Sequence, residues 1–383
     1  MRNWVKAIIK TGSAFNLGRV FGIQFRLHYT WFIIFILITV SLSRLYFPSI
    51  YPGWSHLIYW VVGVTTSLLF FASVVAHELA HSLVARVNGI PVRSITLFVF
   101  GGVAQITREA AKAVTELKMA AAGPACSLVI GSLFGLLWLF IRDVNEPIAA
   151  MALWLAQVNG ILAVFNLIPG FPLDGGRVLR SILWRVTGNY KRSTRIATRM
   201  GQGVGYLFIA GGILIMFALH EWVSGLWLAF IGWFIANAAS ISYHQAQWQE
   251  SLRGLVAAQV MTSNFPVVSP DVTVAQLVAG NIFTSGRHYS LVADEGRLEG
   301  ILTLPDIKAI PHPDWGITRV REAMTPVEKL SVAHSGQSAL SVVEQMQEYG
   351  IDQMPVVSEG RVIGLVDRDN LMSFLRIRSE LGI

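Results

Sequence analysis

Residues 74 to 86 read VVAHELAHSLVAR and place His77, Glu78 and His81 in the spacing H-E-x-x-H. On a helix, positions four apart share a face, so both imidazoles can reach one tetrahedral metal while Glu78 stands beside it. A carboxylate so placed can take a proton from water that the metal activates. The setting is apolar, and three ionisable side chains there are costly unless they pair, ligate or face a cavity. A catalytic zinc takes three protein ligands and leaves one position for water, yet no third donor lies nearby in sequence. The candidate sits in NLIPGFPLDGG, residues 166 to 176. Pro169 and Pro172 must interrupt helical hydrogen bonding, and irregular backbone at membrane depth is tolerated only where it is buried or lines a wet cavity. Asp174 follows that break with Gly175 and Gly176 beside it, which lets the chain approach another helix closely. Read alone, the segment is a loop with a turn aspartate.

The elements that must position these groups are legible from composition. Of 383 residues, 53% are hydrophobic and 14% charged, far more apolar than a soluble globular chain. The expected fold is an α-helical polytopic membrane protein of about six transmembrane helices, near 28–46, 58–80, 115–141, 148–168, 203–219 and 226–243. Met1 to Lys10 lacks a short apolar region with a small-residue cleavage site, so the first span is expected to stay in place. The net charge of +7 follows topology rather than a nucleic-acid ligand. Arg2, Lys6, Lys10, Arg19 and Arg26 precede the first span, and Arg86, Arg93, Arg108 and Lys112 follow the second. Arg177, Arg180, Arg185, Lys191, Arg192, Arg195 and Arg199 follow the fourth. Alternate loops are basic, which puts both termini in the cytoplasm. The lone Cys126 is read as a small apolar packing residue.

After about Tyr243 the apolar runs give way to alternating strand and helix signals, with 244–258 as linker. The tail repeats itself at an offset of about 63 residues: VMTSNFPVV at 260 is echoed by AMTPVEKLSV at 323, and EGRLEGILTLPDI by EGRVIGLVDRDNL. Gly296 and Gly360 supply the turn freedom of two hairpins. The Met-Thr openings and the apolar-Gly-apolar strands resemble a pair of CBS domains, placed at 259–312 and 318–378. That resemblance implies a cytoplasmic α/β body whose cleft takes an adenine nucleotide, AMP or ATP, near Thr303 and Asp306. The second copy reads GLVDRDN, with Asp367 and Asn370 at the corresponding places, and an anion beside a phosphate is unfavourable. Asp306 also reads as a plain cap on the helix after Pro305.

H-E-x-x-H in the second span and N-x-x-P-x-x-P-L-D-G about ninety residues later resemble the site-2 protease family of intramembrane zinc metalloproteases. Asn166, Pro169, Pro172, Leu173, Asp174 and Gly175 each fall on the second motif. The resemblance covers residues 1–243 and implies zinc on His77, His81 and Asp174. Glu78 would act as general base and later as proton donor, with Asn166 hydrogen-bonded to the scissile carbonyl or its oxyanion. A helix-to-helix hydrogen bond is the alternative for Asn166. SITLFVFGGVAQI, 94 to 106, is too short to span and matches the family's membrane-associated strand or re-entrant loop; an amphipathic surface loop is the alternative. The implied function is regulated intramembrane proteolysis of a single-span protein within the lipid of the cell membrane, such as an anti-sigma factor or another membrane-tethered regulator. A CBS-regulated ion transporter or channel is the competing class. His, His and Asp suit zinc best, although cobalt or iron binds the same set; a homo-oligomer is compatible with the sequence.

Overall fold

The computed structural model describes residues 14–99, 101–106, 110–252, 254–282, 289–294, 297–359 and 361–381. The chain divides into residues 1–245 and 246–383. The hairpin glycines Gly296 and Gly360, Arg108, and the cations before Ala14 lie outside the described residues.

Six helices of the first unit are long and apolar enough to cross a membrane among the described residues. They are α1 Thr30–Ile50, α2 His56–Val87, α3 Ala113–Ile141, α4 Glu146–Asn166, α6 Tyr190–Ala218 and the Trp222–Tyr243 part of α7, Trp222–Leu252. The shorter α5, Asp174–Thr187, lies between α4 and α6. Polar residues start three of them: the side chains of Ser55, Asn145 and Asn189 accept from the backbone N–H of Ile58, Ile148 and Arg192, satisfying donors the first helical turn leaves open. Close helix packing uses glycine. A Cβ at Gly131 of α3 would meet the Ala156 carbonyl of α4, and one at Gly205 of α6 would meet Gly232 and Ala236 of α7.

A four-stranded sheet orders β1 Ala14–Val20, β2 Ile23–His28, β3 Val92–Phe98 and β4 Gly101–Ile106. Phe21 and Gly22 turn β1 into β2 with φ of 48° and 71°, the left-handed pair a tight hairpin requires. Arg86 at the end of α2 donates to the Phe21 carbonyl. One face of the sheet buries Ile23, Phe25 and Ile95 against Ala85, Ile90 and Met119, so the sheet lies where α2 ends and α3 begins. The stretch expected as a strand or re-entrant loop is thus a β-hairpin, with β4 as an open edge.

In the second unit, β6 Tyr289–Asp294 pairs with β7 Arg297–Thr303, and β10 Gln353–Ser358 with β11 Arg361–Asp367, each antiparallel. With β5 Val267–Val268, β8 Thr325–Pro326 and β9 Ala333–His334 they form one sheet. The repeats exchange their openings. Thr262 pairs with Leu365 of the second copy, and Thr325 with Ile301 of the first. Met261 lies on Gly364 and Met324 on Gly300, where a Cβ would collide. The stretch 244–258 is partly helical: α7 continues to Leu252 because HQAQWQESL offers helix formers and no Gly or Pro before Gly254.

Candidate metal centre

His77 and His81 lie one turn apart in α2, both buried, with rings 4.8 Å apart and nearly perpendicular. Asp174 opens α5, directly after the proline-broken loop. Its Oδ2 is 3.3 Å from His77 Nε2 and 3.2 Å from His81 Nε2, and the two Nε2 atoms are 3.2 Å apart. The three groups brought together are those the sequence singled out, and Asp174 is more than ninety residues from the two histidines.

The other ring nitrogens decide what these atoms can do. His81 Nδ1 donates to the Met119 carbonyl at 2.6 Å, and His77 Nδ1 faces the Ser127 hydroxyl at 2.8 Å. A carbonyl only accepts, so the neutral imidazole of His81 carries its proton on Nδ1 and turns a lone pair inward. With Nδ1 of His77 donating to Ser127 in the same way, two imidazole nitrogens and a carboxylate oxygen converge on one point as potential ligand atoms, an arrangement that a cation relieves. The donor set fits a zinc-like ion, with outer hydrogen bonds that orient both ligating rings. Space is reserved as well: a Cβ on Gly123 of α3 would strike the Nε2 atoms of both His81 and His77.

Glu78 is partly buried, and its side chain makes no hydrogen bond among the described residues. A Cβ on Gly102 would collide with its Cγ, so the backbone of edge strand β4 runs directly against it. Asn166 closes α4, half-buried and likewise without a side-chain hydrogen bond among the described residues. The loop between Asn166 and Asp174 is packed by missing side chains. Gly175 abuts the Leu167 and Ile168 carbonyls, Gly176 abuts Gly170, and Gly201 of α6 abuts Phe171. The two glycines after Asp174 thus pack on their own loop, whereas the sequence reading put them against another helix.

Sequence reasoning missed several supporting groups. Ser127, which holds His77 Nδ1, and Gly123, which leaves room for both rings, sit in a run of small residues with no motif to mark them. Arg180 was counted among the cations that set topology, but it is 5% exposed and pairs with Glu116, itself 1% exposed. The signal for that pair was a lone acid, Glu116, at the start of an apolar span. Asn159 is buried and donates to Ser73 Oγ of α2 at 3.3 Å.

The second candidate site is self-contained. Asp306 Oδ2 accepts from both the backbone N–H of Thr303, at 2.8 Å, and its hydroxyl, at 2.5 Å. The two residues form a capping box on α8, Leu304–Lys308. In the second copy, burial and the neighbouring Asp369 carboxylate push the Asp367 carboxyl above the usual carboxylate range.

Known proteins share this chain's organisation. The peptidase family M50 model matches residues 65–144 and 142–212, and the CBS domain model matches 256–311 and 320–377. A relative from Synechocystis sp., named as a zinc metalloprotease, is 36% identical over 370 residues, 94% of this chain and 95% of its own. A zinc metalloprotease of Methanocaldococcus jannaschii is 29% identical over 370 residues, 96% of this chain and 98% of its own. The solved site-2 protease from Methanocaldococcus jannaschii is similar at 29% identity and a TM-score of 0.40, covering 60% of this chain and 95% of that one. These relatives fall on the protease side of the two function classes the sequence left open. The chain belongs to peptidase family M50, the site-2 protease family of membrane zinc metalloproteases, and carries a C-terminal pair of CBS domains.

Proposed function

We propose that His77, His81 and Asp174 hold the zinc, that Glu78 is the proton carrier, and that the protein cuts substrate helices within the membrane. The convergence of three potential ligand atoms within 3.3 Å of one another carries this reading. When bound, zinc supplies Lewis-acid activation of water and of the scissile carbonyl. Glu78 takes the proton from the attacking water at its carboxylate and returns it to the departing amine. The Asn166 amide, free of other partners among the described residues, donates to the oxygen on which charge develops. A substrate helix must be unwound for cleavage. The open edge of β4 beside Glu78 suits an added extended strand, which would satisfy the exposed backbone of the substrate.

The substrate class is a single-span membrane protein of the kind that tethers a regulator, an anti-sigma factor for example. By the alternation of basic loops both termini and the CBS pair are cytoplasmic. The CBS pair is regulatory, with AMP or ATP contacting Thr303 and Asp306. Asp306 engages only Oδ2 in its cap, which leaves Oδ1 for a ribose hydroxyl. Glu78→Gln tests the central assignment. Cleavage of a membrane-embedded substrate should fall by roughly 10²–10⁴-fold while zinc content stays at the wild-type level; undiminished cleavage would remove Glu78 from its role. Calorimetry of the full-length protein with AMP and ATP tests the regulatory part, and absence of heat for both would overturn it.

A further inference from the structure

One face of α3 touches both histidines of the metal centre and the helix that carries Asp174. Glu116, Met119, Gly123 and Ser127 follow one another at spacings of three or four, the repeat that keeps side chains on a single helical face. Ser127 takes His77, the Met119 carbonyl takes His81, and Gly123 leaves room for both rings. Pro124, which cannot donate to the Ala120 carbonyl, falls in the same turns. The fourth position points at the third ligand's helix: Glu116 Oε1 accepts from both Nε and Nη2 of Arg180 on α5.

Arg180 is clamped on all sides. Its Nη1 donates to the Tyr190 hydroxyl at 2.7 Å, and its guanidinium lies 4.8 Å from the Tyr190 ring and 5.0 Å from the Phe171 ring. Phe171 belongs to the loop that delivers Asp174, and Tyr190 begins α6. A buried ion pair is a poor source of net stability compared with apolar packing, but it is directional and tolerates little sliding. Sliding matters here, because one helical turn would carry Asp174 about 5.4 Å from the two imidazoles.

We propose that Glu116 and Arg180 are positioning residues for the metal centre: the pair fixes α5, and with it Asp174, against the same helix face that orients His77 and His81. The proposal rests on the ligand assignment above. Zinc affinity of the full-length, detergent-solubilised protein, read by competition with a chromophoric chelator, tests both separately. Glu116→Gln and Arg180→Lys should each weaken zinc binding by about 10–100-fold. Glu116→Gln keeps the shape of the side chain and serves if the lysine variant does not fold. Because the effect acts through Asp174, neither change should weaken binding further in an Asp174→Asn background. Affinity within about threefold of wild type for both single variants overturns the proposal, as does an equal loss in both backgrounds. If Asp174→Asn alone leaves affinity unchanged, the ligand assignment falls and this proposal with it.

Discussion

The two polar clusters that the sequence marked as candidate sites are built in opposite ways. At His77, His81 and Asp174 three potential ligand atoms face one another, while the outer ring nitrogens are held by the Met119 carbonyl and the Ser127 hydroxyl. At Thr303 and Asp306 donor and acceptor satisfy each other within a single helix cap. The first arrangement is costly without a cation, whereas the second is stable by itself. A cluster that leaves its own electrostatics unresolved points to a ligand more strongly than one whose residue types merely match a motif.

The contrast can be broken from either side. The largest effect is expected at Gly123→Ala, where the added methyl group takes the space of both Nε2 atoms; zinc affinity should fall by at least ~100-fold in a chelator competition. Ser127→Ala should cost less, about tenfold, because it removes one outer hydrogen bond and leaves the ligand in place. At the self-contained cluster the loss should appear in stability instead. Asp306→Ala should lower the unfolding free energy of the C-terminal unit by about 1 kcal/mol, measured in denaturant, with zinc binding unchanged.

The smallest effect concerns pH. Asp367 is disfavoured as an anion in the folded state, first by burial and then by Asp369. Its contribution to stability is therefore present at low pH and lost as pH rises through its raised pKa. Asp367→Asn should raise Tm by about 1–2 °C near pH 7, and the gain should shrink at acid pH, where the native carboxyl is neutral in both states. Thermal scans at the two pH values check the sign.

Much of the catalytic half was readable before folding because its chemistry demands fixed residue types at fixed spacing. Two histidines one helical turn apart, and an aspartate after a proline break, identify themselves within a few residues. The apolar runs did the same for the six helices, since crossing a membrane requires about 20 apolar residues in succession. What escaped was anything that depends on pairing across the chain. Arg180 and Glu116 are 64 positions apart, and in a chain whose loops are rich in arginine nothing local separates a buried cation from one that sets topology. Met119 escaped for another reason: its part is played by a backbone carbonyl, which carries no residue type. In the tail, the repeat was plain, but the exchange of the Met-Thr openings between copies was not, because each opening pairs with a strand of the other repeat.

X-ray absorption at the zinc edge of the purified full-length protein addresses the central claim most directly. The account predicts one zinc per chain with a first shell of two imidazole nitrogens and oxygen donors at about 2.0–2.2 Å, and loss of an oxygen contribution in Asp174→Ala. A shell containing sulfur, or one that Asp174→Ala leaves unchanged, would contradict it.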